Sequence, residues 1–189
     1  MNHYLIPQGI KFEKPDIDLL DGLLICNGKT LEEDIEGYLD KGLIQVAINL
    51  SINRLRFKEP VYYIYLDDIP AIHNSLATHP DKDKIEVVKW IPKMGKNSRK
   101  LSIRDYPELV NWGFAIFTAI HYLLCCGCKN IYAVGFDLED YPAKDQLLDK
   151  FNDLVIPEFE RLEVDFYSRA IIYISNYNES DFDFLLDKM

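Results

Sequence analysis

The chain has 189 residues and a mass of 22.1 kDa, a length that predicts a single domain over residues 1–189. Hydrophobic residues make up 48% of the sequence and charged residues 28%, which predicts a folded core and excludes a largely disordered chain. The formal net charge of -10 disfavours nonspecific binding to nucleic acid or to anionic lipid, so neither is expected as a partner.

The sequence shows no transmembrane segment, and its N-terminus lacks the apolar core of a signal peptide. Its four cysteines are too few for the disulfide framework of a small secreted protein. These features predict a cytoplasmic protein. One Cys-x-x-Cys motif, Cys125 to Cys128, follows His121 on the same predicted helix, but a single motif of this kind does not predict a metal site.

The first half of the chain alternates short apolar runs with turns. The apolar runs predict buried strands over residues 23–26, 44–49 and 61–66. Between the first two strands, Thr30 and Glu33 match the capping box of a helix, which we expect to end at Gly42.

The second half begins with an irregular insert at about residues 69–104, which contains several prolines and one predicted strand. His73 and His79, in this insert, are expected at the surface. The further predicted elements are a strand over 85–91, a buried helix over 113–126, a strand over 130–135, a short lid at about 138–146, an amphipathic helix over 147–162, a strand over 170–174 and a helix from residue 179.

Alternating strands and helices predict an α/β fold, in which one doubly wound, mostly parallel sheet carries helices on both faces. In such a sheet, ligands bind beyond the carboxyl ends of the strands. Small or polar residues follow the predicted strands at Asn27, Gly28, Asn49, Asp67, Asp68, Gly135, Asp137 and Asn176.

The order of these strand ends resembles a known family. Residues 25–31 (ICNGKTL) are similar to the Gly-Asn-Gly-Pro-Ser-Leu motif that opens the bacterial lipooligosaccharide sialyltransferases. A related family includes archaeal hydroxymethylpterin diphosphokinase and flagellin-modification proteins. The later strands and strand ends of this group of families have similar segments here, in the same order. These segments are residues 46–49 (VAIN), 60–67 (PVYYIYLD) and 127–137 (GCKNIYAVGFD). The resemblance implies a Rossmann-like nucleotide-binding domain.

The resemblance places the nucleotide at the strand ends and the turns beside them. Gly28 would let the backbone approach a phosphate, and the N-terminus of the helix near Thr30 would attract its charge. Asn49 and Asp137 would hydrogen-bond the ribose or the base. The implied nucleotide-binding residues are Asn27, Gly28, Lys29, Thr30, Asn49, Asp67, Asn111, Gly113, Gly135 and Asp137.

The implied function is that of a small sialyltransferase-like glycosyltransferase. It would bind a nucleotide or nucleotide-sugar, with the CMP type favoured, and would transfer the sugar to an acceptor without a required cofactor. The sialyltransferases carry a late histidine as general base, whereas all four histidines here precede Asp137. The catalytic candidates are therefore Asp68 as base and Tyr141 at the leaving phosphate, with Glu139 and Asp140 as further choices of base.

Two other functions stay open. A non-catalytic nucleotide-binding or interaction module of the same fold fits the short lid and the missing late histidine. A Mg²⁺-dependent diphosphokinase is supported by Asp67 and Asp68, which could hold a nucleotide-bound magnesium ion. The sequence leaves the oligomeric state open.

Overall fold

The computed structural model describes residues 21–38, 41–66, 70–91, 114–138, 140–170 and 172–173. Four of the predicted site residues lie outside these ranges, as does the helix predicted from residue 179. The four are Asp67, Asp68, Asn111 and Gly113, and the alternative base Glu139 also lies outside the described residues.

Seven strands of the described residues form one sheet. They are β1 (Asp21–Ile25), β2 (Ile44–Ile48), β3 (Val61–Leu66), β4 (Ile85–Ile91), β5 (Asn130–Val134), β6 (Asp165–Ser168) and β7 (Ile172–Tyr173). The strand order is β4-β3-β2-β1-β5-β6-β7; the first six strands in the chain are parallel, and β7 is antiparallel to β6. This topology confirms the predicted α/β, Rossmann-like fold with a mostly parallel sheet.

The described helices connect these strands. They are α1 (Leu31–Ile35), α2 (Pro70–Thr78), α3 (Ala115–Cys125), α4 (Lys144–Lys150) and α5 (Ile156–Leu162). A 3₁₀ helix, Asn49–Arg54, follows β2, and a π-helical turn, Phe151–Val155, joins α4 to α5. None of the helices in the described ranges is long and apolar enough to cross a membrane.

Apolar side chains cover both faces of the sheet. On one face, α3 is buried along almost its whole length and packs beside an aromatic cluster of Phe151, Phe159 and Phe166. On the other face, Leu31 of α1 and Ile52 of the 3₁₀ helix pack on the sheet. Each fully buried side chain of this size contributes about 1.5–3 kcal/mol of favourable transfer free energy. The sheet is therefore held from two sides, and its carboxyl edge is left for the loops.

The first helix differs from the prediction. It ends at Ile35 and not at Gly42, and the capping box is wrong, because no side chain of this segment caps the backbone. Thr30 does stand at the N-cap, but its hydroxyl lies 2.7 Å from Asp34 Oδ2 and 3.1 Å from Asp137 Oδ2. A carboxylate that is distant in sequence thus replaces the local partner, Glu33, that the pattern favours.

One α-helix and one strand of the described residues have no counterpart in the sequence prediction. Helix α2 lies inside the insert that we expect to be irregular, and β6 is a four-residue strand directly after α5. Both segments carry weak hydrophobic periodicity, so their structure depends on the sheet against which they pack. The helix expected over 147–162 begins at Lys144 and is interrupted before Pro157, which has no backbone N–H to donate.

The surface position expected for His79 is wrong, since this residue is only 7% exposed. Its Nδ1 accepts a hydrogen bond from the backbone N–H of Asp81 at 3.0 Å, so the ring proton is on Nε2, which lies 3.0 Å from Ile52 O. His79 therefore joins the end of α2 to the 3₁₀ helix. The side chain of His73 lies outside the described residues.

Candidate functional site

The strand order reverses between β1 and β5, because β2 to β4 lie on one side of β1 and β5 to β7 lie on the other. A cavity of about 450 Å³ opens at this point, beyond the carboxyl ends of β1, β2 and β5 and beside the first turn of α3. Open α/β sheets bind their ligands at this kind of position, and the volume lies within the usual range of small-molecule sites. We refer to it as the main cavity.

Seven of the predicted site residues line the main cavity. They are Asn27, Gly28, Lys29, Asn49, Gly135, Asp137 and Tyr141. Thr30 lies beside it, in hydrogen-bond contact with Asp137. The structure therefore brings together every predicted site residue that it describes.

Gly28 has a packing role in the structure, and its predicted contact with a phosphate stays a prediction. Its N–H donates to Gly135 O at 2.8 Å, and a Cβ at position 28 would lie 2.4 Å from Gly135 O and 2.6 Å from Asp137 Oδ2. Gly135 has a φ of 63°, and a Cβ there would lie 2.7 Å from Cys26 O. Both glycines are needed because the turns after β1 and β5 pack directly on each other.

The Asp137 carboxylate lies at the beginning of α1. Its Oδ2 accepts the backbone N–H of Thr30 at 3.0 Å. The N–H groups of Cys26, Gly28 and Leu31 are also bound within the protein, to Val134 O, Gly135 O and Gly28 O. The donors on which the predicted phosphate contact at Gly28 and Thr30 depends are thus already engaged, and a negative charge stands beside them.

Asp34 connects the turn after β1 to the turn after β5. Its Oδ2 accepts from the Gly135 N–H at 2.9 Å, and its Oδ1 accepts from Arg169 Nε at 2.5 Å. Arg169 also pairs with Glu33 at 2.8 Å. The sequence carries no signal for this network, because acidic residues in a first helical turn ordinarily interact only with the helix dipole.

Arg54 holds the turn after β1 from the other side. Its guanidinium donates to Gly28 O at 2.6 Å and to Asn27 O at 3.2 Å, and it forms an ion pair with Glu32. Hydrogen bonding from Arg54 is the main reason why the pKa of Glu32 is lowered. No sequence signal identifies Arg54, since its partners lie more than twenty residues earlier.

Asn49 directly follows β2 and has a left-handed conformation, with a φ of 48°. Asparagine tolerates this conformation better than most residues that carry a side chain. Its carbonyl accepts the hydroxyl of Tyr63 at 2.6 Å. The backbone thus fixes Asn49 at the wall of the main cavity.

The rim of the main cavity carries Lys29, Asp140 and Tyr141. Lys29 forms an ion pair with Asp140, and both side chains are mostly exposed. Tyr141 is 41% exposed, and burial raises its pKa above the ordinary value of 10. Its phenol is therefore protonated at neutral pH and can donate a hydrogen bond.

The remaining wall is mainly apolar. Phe114, Phe136 and Leu138 contribute to it, together with Ile48, Leu50, Ile116 and Leu147. Such a wall suits a flat, partly apolar ring. Cys26 also lines it, but burial and the neighbouring Asp137 raise the pKa of its thiol, so Cys26 does not supply a thiolate nucleophile.

Among the described residues, no group of three or more His, Cys, Asp or Glu side chains could hold a metal ion. All four cysteines are free thiols. Asp67 and Asp68, on which the magnesium hypothesis depends, lie outside the described ranges.

No protein-family model, curated protein or solved structure matches this chain. The resemblance to the sialyltransferases therefore stays a prediction that rests on the residues quoted above.

Proposed function

We propose that this protein binds a nucleotide or nucleotide-sugar in the main cavity and transfers the sugar to an acceptor. The observation that supports this most is the convergence of residues from three strand ends on one cavity where the strand order reverses. Neither the cavity nor its position depends on the resemblance.

The wall of the cavity suggests how such a ligand lies. The base packs against Phe114 and Phe136, and the Asp137 carboxylate accepts hydrogen bonds from ribose hydroxyls, a common role for an acidic residue in dinucleotide sites. Asn27 and Asn49 offer amide groups on the polar side.

The charges favour a ligand with few phosphates. Among the described residues that line the cavity, Asp137 and Asp140 stand beside a single lysine, Lys29. The N–H groups of Gly28, Thr30 and Leu31 are bound within the protein. A diphosphate or triphosphate would bring further negative charge to these carboxylates without the use of those three donors. A nucleoside monophosphate or its sugar ester fits better.

Transfer requires a base and a way to stabilise the departing phosphate. A base takes the proton of the acceptor hydroxyl, the acceptor oxygen attacks the anomeric carbon, and the bond from that carbon to the phosphate oxygen breaks. Tyr141 and Lys29, on the rim, are proposed to hydrogen-bond the phosphate as it leaves. The base is proposed to be a carboxylate, either Asp140 on the same rim or Asp68 outside the described residues.

Thermal unfolding in the presence of CMP, CDP, UDP, GDP, ATP and CMP-sialic acid, each with and without Mg²⁺, tests the proposal. A ligand at one hundred times its Kd adds about 2.7 kcal/mol to the free energy of unfolding. We expect CMP and CMP-sialic acid to raise Tm without metal, more than the diphosphates do. A panel in which no nucleotide raises Tm would overturn the proposal.

Variants of residues inside and outside the main cavity test whether the nucleotide binds there. Tyr141→Phe and Asn27→Ala should weaken binding of the responding nucleotide, measured by calorimetry. Tyr167→Phe is the control, because Tyr167 lies on β6 and does not line the main cavity. Equal affinity of all three variants would show that the ligand binds elsewhere.

A non-catalytic module is the second candidate, and one observation favours it. Asp140, the one proposed base that the structure describes, is held in an ion pair with Lys29 and is not directed at an acceptor. This candidate predicts that a bound nucleotide-sugar stays intact, whereas the transferase releases free nucleotide over time. A rise in Tm with ATP only when Mg²⁺ is present would instead support the diphosphokinase hypothesis.

A further inference from the structure

A second cavity, of about 360 Å³, lies between the 3₁₀ helix and the end of α2. Its lining includes Asn53, Arg54, Arg56, Ser75, Thr78 and His79. Among the residues that the structure describes, this lining has two arginines and no carboxylate, in a chain whose acidic residues outnumber its basic ones by 31 to 21.

Arg56 differs from the other arginines that the structure describes. Arg54, Arg161 and Arg169 each pair with a carboxylate. Arg56 is exposed at the second cavity and makes no hydrogen bond or ion pair with the described residues. Its guanidinium therefore has its N–H donors available to a ligand.

Two backbone carbonyl groups near the second cavity, which would repel an anion, already accept hydrogen bonds within the protein. The Thr78 hydroxyl donates to Asn74 O at 2.8 Å, and His79 Nε2 donates to Ile52 O at 3.0 Å. These contacts fix the ring of His79 as a wall of the second cavity. Arg56 supplies the positive charge at this site that no described carboxylate pairs with, since Arg54 forms an ion pair with Glu32.

We propose that the second cavity binds a small molecule through a phosphate group, with Arg56 as the main contact. A guanidinium presents two parallel N–H donors to phosphate oxygens, and the Asn53 amide lines the same cavity. The volume corresponds to roughly a dozen water molecules, so a phosphorylated small molecule fits and not only the free ion.

Arg54 connects this second site to the main cavity. Its guanidinium contacts Asn27 O and Gly28 O, which belong to the turn that lines the main cavity. A ligand that draws Arg54 toward the second cavity loosens those contacts. Arg56 does not line the main cavity. A substitution of Arg56 therefore tests the second site separately from the main cavity.

The test is a titration of the ¹⁵N-labelled protein with inorganic phosphate and with glycerol phosphate, followed by amide chemical shifts. Acetate at the same ionic strength serves as the reference anion. We expect shifts at residues 53–56 and 75–79 with both phosphates and not with acetate. Shifts confined to the turns of the main cavity, an equal response to acetate, or no shifts at all would overturn the proposal.

Variants complete the test. Arg56→Gln should weaken phosphate binding about tenfold or more, since hydrogen bonds to charged groups are among the stronger ones. Lys82→Gln removes the same charge from an exposed position that lines neither cavity, and it should leave the affinity unchanged. Equal losses in both variants would show a general charge effect and overturn the site. Neither result depends on what binds in the main cavity.

Discussion

Asp137 Oδ2 lies 3.0 Å from the backbone nitrogen of Thr30, although 107 residues separate the two in the chain. This contact makes the first turn of α1 and the turn after β5 a single unit. The carboxylate occupies the place at which a Rossmann-like domain ordinarily offers N–H groups to a phosphate. In the polar wall of the main cavity, the N–H groups of Gly28 and Thr30 therefore already have hydrogen-bond acceptors within the protein.

The close contact of the two turns predicts the effect of a side chain at position 28. Gly28→Ala places a Cβ 2.4 Å from Gly135 O, a backbone atom that cannot move alone, and should lower the free energy of unfolding by about 1–3 kcal/mol. Gly37→Ala is the control, because the nearest atom to its Cβ would be 3.9 Å away. It should be neutral or stabilising by up to about 1 kcal/mol. Urea unfolding measures both, and similar values for the two variants would contradict the packing described here.

Removing the Asp137 carboxylate should destabilise the fold as well as the site. Asp137→Ala leaves the N–H of Thr30 without this acceptor and should cost about 1–3 kcal/mol. Asp137→Asn should cost less, because the amide oxygen can still accept. Asp149→Ala, at an exposed position on α4, should change stability by less than about 0.5 kcal/mol. An Ala variant at 137 as stable as the wild type would show that the contact contributes nothing.

The ion pair between Glu32 and Arg54 predicts a pH dependence. Hydrogen bonding to Arg54 lowers the pKa of Glu32 below its ordinary value of 4.5. The stabilisation is thus complete above 4.5 and is lost as the pH falls through the lower, folded-state pKa. NMR titration of the Glu32 carboxyl should show this depressed pKa, and Arg54→Gln should return it toward 4.5. An unchanged midpoint in the variant would mean that another group sets the pKa.

The cysteines should be unreactive in the folded protein. Burial raises the pKa of the Cys125 thiol to about 12, and burial together with Asp137 raises that of Cys26. Cys126 and Cys128 are buried. A disulfide reagent such as DTNB at pH 8 should therefore label the native protein slowly and all four thiols rapidly after unfolding. If the native protein is labelled rapidly and the Cys125→Ser variant is not, the Cys125 thiol ionises readily, which would contradict the raised pKa.

Strong apolar runs were sufficient to predict most of the sheet. The bounds predicted for β3 and β4 are confirmed. β3 is an almost continuous run of β-branched and aromatic residues, and in β4 such residues are interrupted only by Glu86 and Lys89. The sequence did not reveal α2 or β6, whose short, mixed patterns become regular only by packing on neighbouring elements.

The set of residues at the main cavity was also predictable, because the carboxyl ends of parallel strands meet at one edge of a sheet. Asn27, Asn49 and Asp137 were each identified by their position after a strand. Their partners were decided only by the tertiary structure. Asp137 binds Thr30, and Arg54 binds the Gly28 carbonyl, because two turns that are far apart in the chain are brought into contact by strand pairing between β1 and β5. Hydrogen bonds of this kind depend on distances in space, which no local pattern of residues specifies.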